Sequence, residues 1–283
     1  MMEIRLAEHC GFCFGVKRAV TLASDALEKY GRVAVMGDLV HNKKVMEKLR
    51  KRGLVYVRDL EEAAGMPLLL QAHGTAPLLI EKARKMGLKV IDATCPLVSE
   101  IHRSALELES EGRQVIVIGD RDHDEVRGIV SRLHDACVIS HAPDIGEHCD
   151  IKPKCGVVIQ STQQFENVRE ILPILLTKSH DCRIINTICE PTRRNQKEVR
   201  ELAKSNDCVL VIGDAASANS TRLFTLLQSM NPNSYRISGV EEIDSNWFRG
   251  CKTLGITAGA STPDELIDEV LQYVKSLDGD KKK

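Results

Sequence analysis

A chain of 283 residues with 43% hydrophobic and 28% charged residues can bury one large or two to three small cores, which excludes a disordered polypeptide. Its 39 Lys and Arg nearly cancel 40 Asp and Glu, and only 4% of residues are aromatic, so neither a global basic field nor a base-stacking platform argues for nucleic acid. No apolar run reaches the roughly 18 residues of a membrane span and nothing at the N-terminus reads as a signal peptide, so the ten cysteines are expected in the reducing cytoplasm as thiols, metal ligands or catalysts.

In chain order, Val16, Ala19, Val20, Leu22, Ala23, Ala26 and Leu27 recur at helical spacing over residues 15–30, and Gly31 ends that helix. Residues 32–36 read as a buried strand closed by Gly37-Asp38, after which His41 and Asn42 precede a helix over 43–52. Short strands follow at 54–57 and 68–72, the second ending at His73-Gly74-Thr75. A helix over 77–86 and a strand over 89–94 then deliver Cys95.

The same order returns twice. A helix over 96–111 leads to a strand over 114–118 and Gly119-Asp120, and His123, Asp124 and Glu125 open a helix to 133. Strands at 137–140 and 156–160 follow, the latter ending at Ser161-Thr162, and 183–187 delivers Cys189. In the third pass a helix over 192–204 leads to a strand over 208–212 and Gly213-Asp214, with Ser217 and Asn219 before a helix to 230. Strands at 234–237 and 254–258 lead to Gly259-Ala260-Ser261 and a final helix over 263–275.

Cys13 to Gly37, Cys95 to Gly119 and Cys189 to Gly213 each span 24 residues. Four residues past the glycines stand His41, His123 and Ser217, and the second polar strand end carries His73, Ser161 and Ser261. Such register implies a tandem triplication of a small α/β unit. The third copy lacks its last strand, and residues 4–6 are the spare piece. The expected fold is therefore α/β, with three pseudo-repeated lobes of mainly parallel sheet around a pseudo-threefold axis. The lobes are expected at 13–94, 95–188 and 189–283, with the N-terminal strand of segment 1–12 completing the third.

Each of Cys13, Cys95 and Cys189 sits where a strand ends and a helix begins, a place that stabilises a thiolate. Three thiolates can hold three irons of a [4Fe–4S] cluster and leave the fourth open; a catalytic zinc with three ligands is the competing metal. Cys10 pairs with Cys13 as Cys-x-x-Cys but has no cysteine at its repeat equivalents and reads as incidental. Cys137, Cys149, Cys155, Cys182, Cys208 and Cys251 read as buried thiols.

His41, Ser217, Ser261 and the His73-Gly74-Thr75 segment all precede helices, where unpaired N–H groups suit phosphate. With Asn219 they can enclose a diphosphate, and no Gly-x-x-x-x-Gly-Lys-Ser/Thr loop argues for nucleotide hydrolysis. Glu125 is either a first-turn glutamate favourable to the helix dipole or, buried near the ring, a proton donor. The other six histidines fall outside the ring.

Gly11-Phe12-Cys13-Phe14-Gly15-Val16, Leu39-Val40-His41-Asn42, Ala72-His73-Gly74 and Asp92-Ala93-Thr94-Cys95-Pro96 resemble the LytB/IspH family. So do His123-Asp124-Glu125-Val126, Thr187-Ile188-Cys189, Ser217-Ala218-Asn219-Ser220 and Thr257-Ala258-Gly259-Ala260-Ser261. The resemblance implies a three-lobed fold and a [4Fe–4S] cluster on Cys13, Cys95 and Cys189. The implied reaction is reductive dehydroxylation of (E)-4-hydroxy-3-methylbut-2-enyl diphosphate to isopentenyl and dimethylallyl diphosphate, the last step of the non-mevalonate pathway. It also implies Glu125 as proton source aided by Ser161 or Thr162, and His41, His73, Ser217, Asn219 and Ser261 on the diphosphate with His123 nearby. Ferredoxin or flavodoxin is the implied electron donor, with no nucleic-acid or membrane partner. The family usually has Pro where Asp124 stands, Thr at Ser161 and a second serine at Ala218. A dehydratase, an enzyme like quinolinate synthase and an iron–sulfur carrier are competing classes. Carboxylate substrates would call for arginines that the ring lacks, and a carrier needs no anion ring.

Overall fold

A computed structural model describes residues 2–280 of the chain; the Lys281-Lys282-Lys283 end lies outside the described residues. After β1 (Glu3–Leu6), the first set of elements is α1 (Phe14–Tyr30), β2 (Val33–Val35), α2 (Lys43–Lys51), β3 (Leu54–Tyr56), β4 (Leu68–Leu70), α3 (Pro77–Lys85) and β5 (Val90–Asp92). The second is α4 (Pro96–Ser110), β6 (Gln114–Ile118), α5 (Asp124–Val130), β7 (Ala136–Ile139), the single turn α6 (Asp144–Glu147), β8 (Lys154–Ile159), α7 (Phe165–Lys178) and β9 (Asp181–Ile184). The third is α8 (Glu190–Ser205), β10 (Cys208–Ile212), α9 (Ala218–Met230), β11 (Ser234–Ile237), β12 (Thr253–Ala258) and α10 (Asp264–Asp280), with 3-10 turns at Val240–Glu242 and Ser245–Phe248. No helix among the described residues is long and apolar enough to cross a membrane.

The elements form three lobes, each with a four-stranded, all-parallel sheet: β3-β2-β4-β5, β7-β6-β8-β9 and β11-β10-β12-β1. β1 lies beside β12, with Ile4 opposite Leu254 and Leu6 opposite Ile256, in the slot that β5 takes beside β4 and β9 beside β8. The spare N-terminal strand thus completes the third sheet, as its sequence position suggests. The chain divides into two compact units. One holds the third sheet, the N-terminal segment through Val16, His41–Val45 and the chain from Glu190 onward; the other holds the first two sheets.

The sheets explain their own sequences. A parallel sheet covered on both faces needs apolar residues at every position rather than at alternate ones, and Val115, Ile116, Val117 and Ile118 are all fully buried. In the second lobe Val115, Val117 and Val158 pack on Ile101, Ala105 and Leu108 of α4 and on Val126 and Ile129 of α5. Ile116, Ile118, Val157 and Ile159 face the other way, onto Val168, Ile171 and Leu175 of α7. The third lobe repeats this division, with α8 and α9 on one face and α10 on the other. Helix α7 is not among the elements expected from sequence, because Pro173 interrupts its helical pattern. Its place is nevertheless dictated by the repeat, since α3 and α10 occupy the same step of their own lobes.

Two cysteines are corrected. Cys137 and Cys149, expected as separate thiols, are joined by a disulfide that ties β7 to the segment before β8, with Cα atoms 5.8 Å apart. Only the folded β7–β8 connection, where Ile145 bridges to Cys149, brings them together. Cys155 and Cys208 are buried as expected, whereas Cys182 and Cys251 are only half-buried. Desolvation pushes the thiols of Cys182 and Cys208 up to about 11 and about 12, so both stay protonated at neutral pH.

The central strands end on glycine because the chain has no room for a side chain there. A Cβ on Gly119 would lie 2.7 Å from Val126 Cγ2 and 2.9 Å from Gln160 Cβ. Gly119→Ala is therefore expected to destabilise the protein by roughly 1–3 kcal/mol, the usual cost of overpacking. A urea midpoint equal to that of the parent would show that the end of β6 has slack.

Candidate active site

The site is built on one repeated hydrogen bond. Cys95 N–H donates to Ala72 O at 2.8 Å and Cys189 N–H to Ser161 O at 3.0 Å; in the other unit Cys13 N–H donates to Ala260 O at 3.0 Å. Each acceptor lies two residues beyond the end of an inner strand, β4, β8 or β12. Cys95 then caps α4 from an extended backbone (φ −60°, ψ 132°), with Pro96 at the first helical position, where its missing N–H costs nothing. The same bonds set the register of the next residues: His73, Thr162 and Ser261 are equivalent, one position later in the second lobe than the sequence alignment on Ser161.

Cys13, Cys95 and Cys189 are half-buried and outside any disulfide. Cys95 and Cys189 in one unit and Cys13 in the other each offer a thiol at an equivalent junction, the donor type that a sulfur-ligated cluster takes. Cys10 does not belong to it. Burial, reinforced by Glu198 and Asp264, pushes its thiol up to about 11, and its Sγ sits 3.4 Å from Ala7 O.

In the two-sheet unit the cysteine junction is coupled to a carboxyl group. His123 caps α5, its Nδ1 accepting from Glu125 N–H at 3.1 Å, which turns the Glu125 side chain inward to 3% exposure. Glu125 Oε1 accepts Ser161 N–H at 2.6 Å, and Oε2 pairs with Ser161 Oγ at 2.6 Å. Ser161 therefore holds Glu125 through its amide and hydroxyl and Cys189 through its carbonyl. Thr162 Oγ1, next to it, accepts from Gln160 Nε2 at 3.3 Å. Gln160 Oε1 in turn accepts Asp120 N–H at 2.9 Å, whereas Gln71, at the same repeat position in the first lobe, donates from Nε2 to Met36 O.

His73 is buried, with its ring edge-on to that of His123 at 6.5 Å and its Nε2 3.4 Å from Asp124 Oδ2. Gly74 behind it has φ +94°, and the His102 ring lies where a Cβ would go, 2.8 Å from that position. Arg132 fastens the segment by donating from Nη1 to Thr75 O at 3.1 Å and Gly128 O at 3.2 Å.

In the other unit Ser217 caps α9, accepting from Ser220 N–H at 3.3 Å. Ser261 Oγ donates to His41 O at 3.1 Å and lies 3.5 Å from Ser217 Oγ, so the fold gathers these three residues. Asn219 is 5% exposed and its Nδ2 has no hydrogen-bond partner. A buried amide donor without an acceptor costs about 1–3 kcal/mol, which an anionic ligand would recover.

The family model for the LytB protein matches residues 4–275. The chain belongs to the LytB family. A relative named 4-hydroxy-3-methylbut-2-enyl diphosphate reductase from Geobacter sulfurreducens is 39% identical over 99% of this chain and 100% of its own length. One of the same name from Aquifex aeolicus is also 39% identical, over 98% of this chain and 97% of its own. Among solved structures, one of (E)-4-hydroxy-3-methyl-but-2-enyl diphosphate reductase, described as the terminal enzyme of the non-mevalonate pathway, has 38% identity and a TM-score of 0.71 over 98% of this chain and 100% of that one. The E-1-hydroxy-2-methyl-but-2-enyl-4-diphosphate reductase of Plasmodium falciparum has 28% identity and a TM-score of 0.91 over 97% of this chain and 87% of that one. Gln71, Gln160, His102 and Arg132 are the supports of this LytB site that motif reading misses. The two glutamines share one repeat position, a signal present in the sequence, whereas His102 and Arg132 reveal themselves only through contacts.

His102 offers a pH test of this scaffold. Burial, aided by Arg132, lowers its imidazole to about 4, against 6.5 for an ordinary histidine. The unfolded chain takes up this proton first, so the contribution to stability is whole above about pH 6.5 and is lost as pH falls towards 4. In His102→Gln the loss of unfolding free energy between pH 7 and 4.5 is expected to be smaller by on the order of 2 kcal/mol. An identical pH slope in denaturant titrations of parent and variant would contradict the buried neutral ring.

Proposed function

We propose that this chain, working in the cytoplasm, reduces (E)-4-hydroxy-3-methylbut-2-enyl diphosphate to isopentenyl and dimethylallyl diphosphate. The observation that carries the proposal is the Glu125–Ser161 pair hydrogen-bonded to the Cys189 junction. Full-length similarity to relatives bearing the reductase name supports it. The lobes 13–94, 95–188 and 189–283, the last with segment 1–12, contribute one cysteine side each, and Cys13, Cys95 and Cys189 would hold a [4Fe–4S] cluster. Such a cluster, when bound, supplies single-electron transfer and one iron open to the substrate hydroxyl.

The overall change takes two electrons and two protons, breaks the allylic C–O bond and releases water. Buried Glu125 is the proton store, and the Ser161 hydroxyl at 2.6 Å is the relay, with Thr162 and His123 beside it. His41, His73, Ser217, Asn219 and Ser261 would bind the diphosphate, Asn219 giving its unmatched Nδ2 donor to a phosphate oxygen. Neutral and histidine donors bind that anion without a lysine-rich loop. Electrons would come from a ferredoxin or flavodoxin.

Anaerobic cluster loading followed by reductant-driven turnover of the allylic diphosphate tests the proposal, and a fully loaded protein without turnover would sink it. Glu125→Gln is expected to keep its iron and lose about 10²–10⁴-fold in kcat, the range of a lost general acid. Ser161→Ala should lose far more activity than Thr162→Ala; equal losses would assign the relay elsewhere. Cys95→Ser should retain less iron, and full retention would refute its role as a ligand.

A further inference from the structure

An exposed carboxylate, Asp124, is set against the buried His73. Its side chain is 47% exposed, whereas that of His73 is 7% exposed, and 3.4 Å separates Asp124 Oδ2 from His73 Nε2. The Nε2 atom itself is shut off from solvent. Around the ring lie His123 edge-on, the His102 ring behind Gly74 and the Arg132 guanidinium on the Thr75 carbonyl. The neighbouring carboxylate, Glu125, is directed to Ser161. A phosphate oxygen that approaches His73 Nε2 therefore meets the Asp124 carboxylate beside it, whose exposure leaves it room to turn into solvent.

We propose that Asp124 is a built-in occupant of the His73 anion position, a specificity gate that the diphosphate displaces. The proposal rests on the reading of His73 as a diphosphate-binding residue. A carboxylate and a phosphate oxygen compete for the same imidazole, and their like charges cannot share it at close range. Only a ligand that offers a stronger anion than a single carboxylate opens the gate, so the free allylic alcohol is rejected by an occupied site rather than by an empty one. The same competition shortens the residence of the diphosphate product. Asp124 thus acts through His73 as a positioning residue.

Calorimetric titration of the cluster-loaded protein with inorganic diphosphate tests this directly. Asp124→Asn and Asp124→Ser are expected to bind diphosphate roughly tenfold more tightly than the parent, the order expected from removing one nearby like charge. In steady-state kinetics KM for the allylic diphosphate falls with them, without a rise in kcat. Asp124→Glu, which restores the carboxylate, returns to the weaker affinity. In a His73→Asn background the gain from Asp124→Asn vanishes, because the two residues act as a pair. Unchanged or weaker binding in the single variants overturns the gate while leaving the diphosphate site intact. A gain that persists without His73 also overturns it, making Asp124 a bare repulsive charge. A parent protein that binds no diphosphate refutes the gate and the reading of His73 together.

Discussion

The hydrogen bond from each cysteine N–H to the chain just past an inner strand is the constraint on which the site depends. It ties the start of the next lobe's first helix to the end of the sheet before it, so each Cα position follows from β-sheet register rather than from loop chance. Loops are ordinarily the mobile, variable part of a domain. Here the sulfur-bearing residue of each loop is anchored by its own backbone, and its side chain keeps only rotamer freedom. A strand shift by one residue would turn every inward side chain outward and displace the cysteine with it.

The same bond organises the surroundings of Glu125. Ser161 is the only one of the three acceptor residues with a hydroxyl, since Ala72 and Ala260 fill the other two places. A threefold framework has been made asymmetric at one point, and that point carries Glu125. The carboxyl group is held by two 2.6 Å contacts to one serine, which fixes its direction and removes it from water. In the third lobe the comparable helix start carries Asn219, whose unmatched donor suits an anion instead of a proton. Repetition supplied the scaffold, and departures from repetition set apart Glu125 and Asn219.

Much of this was legible beforehand. The 24-residue spacing located all three cysteines, and the missing last strand of the third copy identified β1 as its replacement. Glu125, His73, Ser217, Asn219 and Ser261 were legible as strand-end or helix-start polar residues. That Ser161 bonds Glu125 through both its amide and its hydroxyl was not, because adjacent residues past a strand point in opposite directions and only the sheet register sets which way each faces. The Cys137–Cys149 pairing was illegible for a related reason, since closure of a 12-residue separation depends on the path of the β7–β8 connection. His102 and Arg132 left no mark either: one charge or imidazole on a helix looks alike whether it faces solvent or a glycine of the neighbouring lobe.

By itself the sequence determined the periodic quantities: the three α/β units, their parallel sheets, the strand–helix junctions and the residue types standing at them. These are local, because apolar spacing, glycine stops and helix starts act over a few residues. The tertiary structure alone decided pairings between distant residues. It set Ser161 on Glu125, placed Asp124 beside His73 and left Asn219 with an unmatched donor. Such pairings depend on distances of a few ångströms between separate elements, and those distances exist only once the sheets have packed.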